Sequence, residues 1–155
     1  MIVGNIKVFT EEAGFVYGAV KIEEDRIKDI YLHQIAPKES QESYVNGGGN
    51  YLIPGMIDIH LHGCKGDDFC DGTLEAVERI AEYQASIGVT TMGAATMTLS
   101  LETLEKVLAI CALYHKKKAL GEYTACADLA GINMEGPFIS EIQKGAQNIN
   151  YIRRP

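Results

Sequence analysis

The stretch Asp-Ile-His-Leu-His-Gly, Asp58 to Gly63, sets two of the chain's four histidines two residues apart at the end of an apolar run. In an extended strand side chains alternate, so Met56, Asp58, His60 and His62 are expected on one face and Ile57, Ile59 and Leu61 on the other. The aliphatic face would pack on helices, which leaves the polar face for a site. At a strand rise of about 3.3 Å per residue the two histidine Cα atoms lie roughly 6.6 Å apart, close enough for both imidazoles to lean onto one ion. The bland alternative is a hydrogen-bonded strand-end histidine beside an exposed one. A second chemical candidate is Glu135 in Ile-Asn-Met-Glu-Gly-Pro-Phe, which shares a strand face with Asn133 and directly precedes a Gly-Pro break. A carboxylate at the C-terminal end of a parallel strand lies on the catalytic side of open and closed α/β folds. Taken with the histidine pair, it favours a metal site over a solvated loop glutamate. Thr96 offers a hydroxyl at the end of another strand, and Cys64 and Cys70 lie near the histidines but lack any paired thiolate spacing.

The elements that must position these groups can be read from apolar periodicity. Residues 1 to about 50 read as short strands, with a hairpin in Val-Lys-Ile-Glu-Glu-Asp-Arg-Ile whose tip is Glu24 and Asp25. Asn-Gly-Gly-Gly-Asn, Asn46 to Asn50, is the strongest breaker and marks an expected subdomain boundary, dividing the chain into 1–50 and 51–155. Beyond it, Tyr-Leu-Ile-Pro-Gly-Met-Ile-Asp-Ile-His-Leu-His is a strand. A helix follows with Leu74, Val77, Ile80, Ala81 and Ile87 on one face, Thr73 as N-cap and Gly88 as terminator. Val-Thr-Thr-Met-Gly-Ala-Ala-Thr is a second strand. A second helix, capped by Ser100, carries Leu101, Leu104, Val107, Leu108 and Cys111 on its face, with His115 an exposed residue of its last turn. Ala-Gly-Ile-Asn-Met-Glu is the third strand. Alternation of strand and helix specifies βαβ units and a parallel sheet. Two crossover helices on one side cover one face only, so the other face needs cover from elsewhere.

Bulk properties narrow the function classes. The chain has 155 residues and a net charge of -7, with 21 acidic against 14 basic residues. That balance argues against binding a nucleic-acid backbone, which needs a basic face. Lys116, Lys117 and Lys118 suit the C-terminal end of a helix dipole. No run reaches the roughly 20 apolar residues that span a bilayer, and the N-terminus lacks the pattern of a cleaved signal. The four cysteines read as reduced thiols, mostly buried, in a cytoplasmic protein.

Pro-Gly-Met-Ile-Asp-Ile-His-Leu-His-Gly, Gly-Val-Thr-Thr-Met-Gly-Ala-Ala-Thr-Met-Thr, Ile-Asn-Met-Glu-Gly-Pro-Phe-Ile-Ser and Lys-Gly-Ala-Gln-Asn-Ile-Asn-Tyr-Ile together resemble the N-acetylglucosamine-6-phosphate deacetylases of the amidohydrolase superfamily. The resemblance implies an α/β fold: the first three strands and two helices of a (βα)8 barrel, preceded by a small β-sandwich-like subdomain. It implies that Glu135 binds the principal divalent metal, zinc or iron, and that His60 and His62 supply a second metal site. It maps sugar contacts onto Ala146 and Gln147, the latter standing where family members usually have histidine. The implied chemistry is hydrolysis of an acetamide on a phosphorylated amino sugar, giving glucosamine 6-phosphate and acetate, with a metal as Lewis acid and an aspartate as base. That aspartate and two further histidine ligands are expected beyond the end of this sequence.

A whole eight-unit barrel takes about 250 residues, and a catalytic zinc typically has three protein ligands. The chain therefore reads as an N-terminal portion of such an enzyme, inactive alone, with Asp58 the one nearby but deeper-lying carboxylate. Its open sheet should self-associate or pair with a missing C-terminal half. A cyclic-amidase type of amidohydrolase and a non-catalytic scaffold retaining part of the fold are the competing readings. Glu-Gly-Pro-Phe at the third strand end speaks against the former.

Overall fold

A computed structural model describes residues 1–34 and 43–154, and divides the chain into two compact units, Met1–Pro54 and Gly55–Pro155. In the first unit β1 (Ile2–Thr10) pairs antiparallel with β2 (Gly14–Glu23), which pairs antiparallel with β3 (Arg26–Leu32). Glu24 and Asp25 form the tip of the β2–β3 hairpin, as the sequence suggests, with Glu24 at φ 55°. Two short strands, β4 (Tyr44–Asn46) and β5 (Tyr51–Leu52), run parallel to β1 along its free edge. Between them the Gly-rich turn is bonded to the same strand, Gly47 N–H to the Gly4 carbonyl and Gly49 N–H to that of Asn5.

The described strands of this unit thus form a single five-stranded sheet, where the resemblance implies a sandwich-like subdomain. The reason is length. Segments of three and two residues cannot build a second layer, and their backbone groups are spent on β1. Ile6, Val8 and Val20 form one small buried cluster, and Ile2 with Ala19 another.

The second unit is built as strand, helix, strand, helix, strand. β6 (Met56–Leu61), β9 (Val89–Thr96) and β10 (Asp128–Met134) form a parallel sheet in the order β10-β9-β6, with a minor hairpin of β7 (Gly63–Cys64) and β8 (Asp67–Asp68) after β6. The crossovers are α1 (Leu74–Ser86) and α2 (Leu101–Ala119). Both N-caps are the residues expected from the sequence. Thr73 Oγ1 accepts from Ala76 N–H at 3.3 Å and Ser100 Oγ from Thr103 N–H at 3.2 Å, satisfying donors that the first helical turn leaves open.

One core joins these layers. Val77, Ile80 and Ala81 of α1 and Val107, Cys111 and Tyr114 of α2 pack with Met92, Ala94 and Leu129 of the sheet, and Phe69 closes one end. Two residues expected in the core are exposed instead. Ile87 falls just past the end of α1, and Leu101 is the first residue of α2, where the helix has not yet turned onto the sheet; they are 48% and 54% exposed. His115 is exposed, as expected, and its Nδ1 meets the Leu129 carbonyl at 3.0 Å. No helix among the described residues is long and apolar enough to cross a membrane.

Strict alternation fails on β6. Asp58 registers with Met92 and Leu61 with Ala94, so Ile59 and His60 face a single residue, Gly93. This is the two-against-one count of a β-bulge. A Cβ on Gly93 would stand 2.8 Å from the Ile59 carbonyl oxygen, so glycine is what lets the bulge approach. Asp58 and Leu61, of opposite parity, therefore both register with buried residues. Leu61 packs against the helix-covered core, while Ile57 and Ile59 are 66% and 81% exposed. The expectation that all three aliphatic residues pack on helices is thus met by Leu61 alone.

The phenol of buried Tyr114 donates to the Ala127 carbonyl at 2.8 Å and its ring stacks on Tyr123. Tyr114→Phe keeps the packing and removes that bond, so it should lower the unfolding free energy by about 0.5–1.5 kcal/mol, measured by urea denaturation.

Candidate metal centre

Past the bulge, the end of β6 is held by its backbone. Phe69 N–H donates to the His62 carbonyl at 2.9 Å, which ties the strand exit to the turn before α1. Asp58 Oδ1 accepts the His60 backbone N–H at 3.0 Å and braces the same segment locally. On the far strand, Glu135 stands one residue past β10, held by its backbone. Its carbonyl accepts from Thr98 Oγ1 at 2.7 Å. Gly136, at φ 111°, lies so close to Thr98 that a Cβ there would stand 2.1 Å from Oγ1. Both the backbone conformation and the space demand glycine.

These constraints bring three of the sequence's candidates together. His60 Nε2 lies 3.9 Å from Glu135 Oε1, and His62 Nε2 lies 3.4 Å from Oε2. The imidazole rings are 5.1 Å apart and nearly perpendicular. One ligand atom from each of His60, His62 and Glu135 falls within 4.8 Å of the others. Donors around a tetrahedral zinc stand about 3.3 Å apart, so the three side chains must draw together by up to about 1.5 Å to share one ion. The mixed imidazole and carboxylate donors suit zinc or iron better than the all-oxygen preference of calcium or magnesium.

The surroundings add to the fit. Asn133 Nδ2 sits 2.8 Å from His60 Nδ1. With the amide turned so that its oxygen accepts from Nδ1–H, the Nε2 lone pair is left for an ion, the arrangement in which metal-bound histidines are oriented by a neighbour. His62 Nδ1 and Thr96 Oγ1 are buried with no hydrogen-bond partner among the described residues. Unmet buried groups cost about 1–3 kcal/mol each and are rare in a settled core. Thr96 is wholly buried and lies outside the three-residue cluster. The cysteines stand apart as well. Burial pushes the Cys70 thiol up to about 11, its sulfur accepts from Met97 N–H, and burial also raises Cys64; neither belongs to the three-residue cluster.

The two residues expected to touch substrate behave differently. Ala146 is exposed. Gln147 is buried, with its amide turned inward: Nε2 donates to Glu135 Oε2 at 2.6 Å and Oε1 accepts from Thr98 N–H at 2.6 Å. Sequence reasoning missed this contact with Glu135, since no local pattern links residues joined through a loop.

The chain aligns over 155 residues, 30% identical, with the N-acetylglucosamine-6-phosphate deacetylase of Bacillus subtilis, covering 99% of this chain and 38% of that protein. Among solved structures, the enzyme of that name from Thermotoga maritima matches with a TM-score of 0.77 at 30% identity, over 100% of this chain and 37% of its own. That from Pasteurella multocida matches with a TM-score of 0.81 at 25% identity, over 98% and 38%. The chain is a relative of the N-acetylglucosamine-6-phosphate deacetylases. It spans less than two fifths of the length of the relatives it matches. No family model matches it.

Gly136→Ala, which meets both a left-handed φ and the Thr98 hydroxyl, should destabilise the chain by more than about 1 kcal/mol in urea denaturation.

Proposed function

We propose that this chain is the metal-binding N-terminal portion of an amide hydrolase that removes the acetyl group from N-acetylglucosamine 6-phosphate. The observation that carries the reading is the convergence of His60, His62 and Glu135 at the C-terminal ends of two parallel strands. That is where α/β barrels keep their chemistry. The names of its relatives supply the substrate class. On this reading β6, β9 and β10 are the first three strands of a (βα)8 barrel to which Gly55–Pro155 belongs, and Met1–Pro54 is a small accompanying β unit; the division expected at residue 50 moves to 54 because Tyr51 and Leu52 pair with β1.

Glu135, His60 and His62 would hold a divalent metal, zinc or iron. When bound, the metal supplies Lewis acidity toward an amide carbonyl and acidifies water. The chain's own residues prepare for it. Asn133 orients the His60 ring, and the Thr98 hydroxyl holds the backbone of Glu135. Exposed Ala146 and the remaining oxygen lone pair of Gln147 are the sugar contacts in this reading. The Asp58 carboxylate accepts the His60 N–H rather than standing ready as a base.

Titration with zinc should show binding by the unaltered chain and a large loss of affinity in both His60→Ala and Glu135→Ala. Unchanged metal content in both variants rejects the ligand assignment. Alone, the chain should release no acetate from N-acetylglucosamine 6-phosphate, and sedimentation should show self-association through exposed apolar residues such as Ile57 and Ile59 and the open edges of the sheet. A C-terminal portion of one of the relatives, expressed separately and mixed in, should compete with self-association and restore acetate release. A stable monomer at micromolar concentration would refute the association.

A further inference from the structure

We infer that Gln147 is a positioning residue for the metal centre: its buried amide clamps the Glu135 carboxylate to the loop after β9 and presents the free oxygen to the ion. The inference rests on the proposed role of Glu135 as a ligand and adds what holds that ligand in place.

Gln147 is 7% exposed, and both ends of its amide are used. Nε2 donates to Glu135 Oε2 at 2.6 Å, with Met97 Sδ at 3.7 Å as a weaker second acceptor, and Oε1 accepts from Thr98 N–H at 2.6 Å. The two partners allow one orientation of the amide. Turned over, it would set oxygen against carboxylate and NH2 against N–H. The backbone is fixed too, since Gln147 N–H donates to the Lys144 carbonyl at 3.1 Å and Lys144 Nζ to the Gln147 carbonyl at 2.9 Å. Thr98 closes the loop by donating its hydroxyl to the Glu135 carbonyl.

Three segments distant in sequence are therefore locked around one side chain. A carboxylate that keeps one oxygen on a fixed donor cannot rotate freely, so Oε1 stays on the side of His60, 3.9 Å from Nε2. Ligating carboxylates are commonly held by such outer partners. Glutamine suits the task because it is donor and acceptor together in a single protonation state, whereas an imidazole is both only when neutral.

Cobalt(II) is a suitable probe, since its visible spectrum reports coordination independently of catalysis. Gln147→Met preserves length and removes both hydrogen bonds. Gln147→His restores a donor toward Glu135. Gln147→Met, folded by circular dichroism, should bind cobalt about 10–100-fold more weakly than the unaltered chain, with altered visible bands. Gln147→His should recover most of that loss. Native affinity and spectrum in folded Gln147→Met overturn the inference while leaving the ligand reading intact. If Gln147→Met does not fold, Gln147→His decides: near-native cobalt binding supports the clamp, and weakened binding in a folded protein overturns it. Loss of cobalt binding in Glu135→Ala is the separate control. If that variant binds as the unaltered chain does, the ligand reading fails and the clamp with it.

Discussion

The Glu135 carboxylate is the point on which the second unit converges. Imidazole nitrogens approach it from His60 and His62, and an amide donor from Gln147. A carboxylate has about four acceptor positions, and the Gln147 N–H takes one of them, which leaves the others for an ion that the two imidazoles would share. What makes the convergence possible is fixed backbone. Glu135 follows the last residue of β10, and a hydroxyl from the β9 side holds its carbonyl. Glycine at 136 is then obligatory, because any side chain there would push Thr98 away from the bond it makes. The site is thus a consequence of close packing between two strand ends as much as of residue types.

The other half of the convergence depends on an irregularity. Without the bulge at Ile59 and His60, the parity of β6 would carry Leu61 away from the core that now holds it. With it, Leu61 anchors the strand on the helices while the histidines turn toward Asn133 and Glu135. Bulges re-aim side chains where regular pairing cannot. Gly93, which lacks the Cβ that would strike Ile59, is the structural counterpart of the two histidines. It sits on a strand that contributes no ligand.

How much of this was legible follows the range of the interactions. The order of strands and helices, the caps at Thr73 and Ser100, and the hairpin tip at Glu24 and Asp25 are local features, and local patterns reveal them. The meeting of His60, His62 and Glu135 was also readable, because parallel strands place their C-terminal ends side by side whatever their exact register. Register itself was not readable. The one-residue excess at Ile59 and His60 leaves no mark in periodicity. The single sheet of the first unit depends on which edge β4 and β5 find. Gln147 reaches Thr98 across 49 positions, through a loop that propensity does not describe.

The three candidate ligands are not held equally, and this bears on how an ion would be received. Glu135 is fixed at its backbone by Thr98 and at its carboxylate by Gln147, and the His60 ring is oriented by Asn133. His62 has its carbonyl tied to Phe69 N–H, but its Nδ1 is buried without a partner among the described residues. Ordering a side chain on binding costs about 0.5–1.5 kcal/mol when it is not already held. On the proposed reading, two donors are oriented in advance and most of that cost falls on His62. An acceptor brought to its Nδ1 would hold the third ring and strengthen Nε2 as a donor at once, since a partner on one imidazole nitrogen raises the basicity of the other.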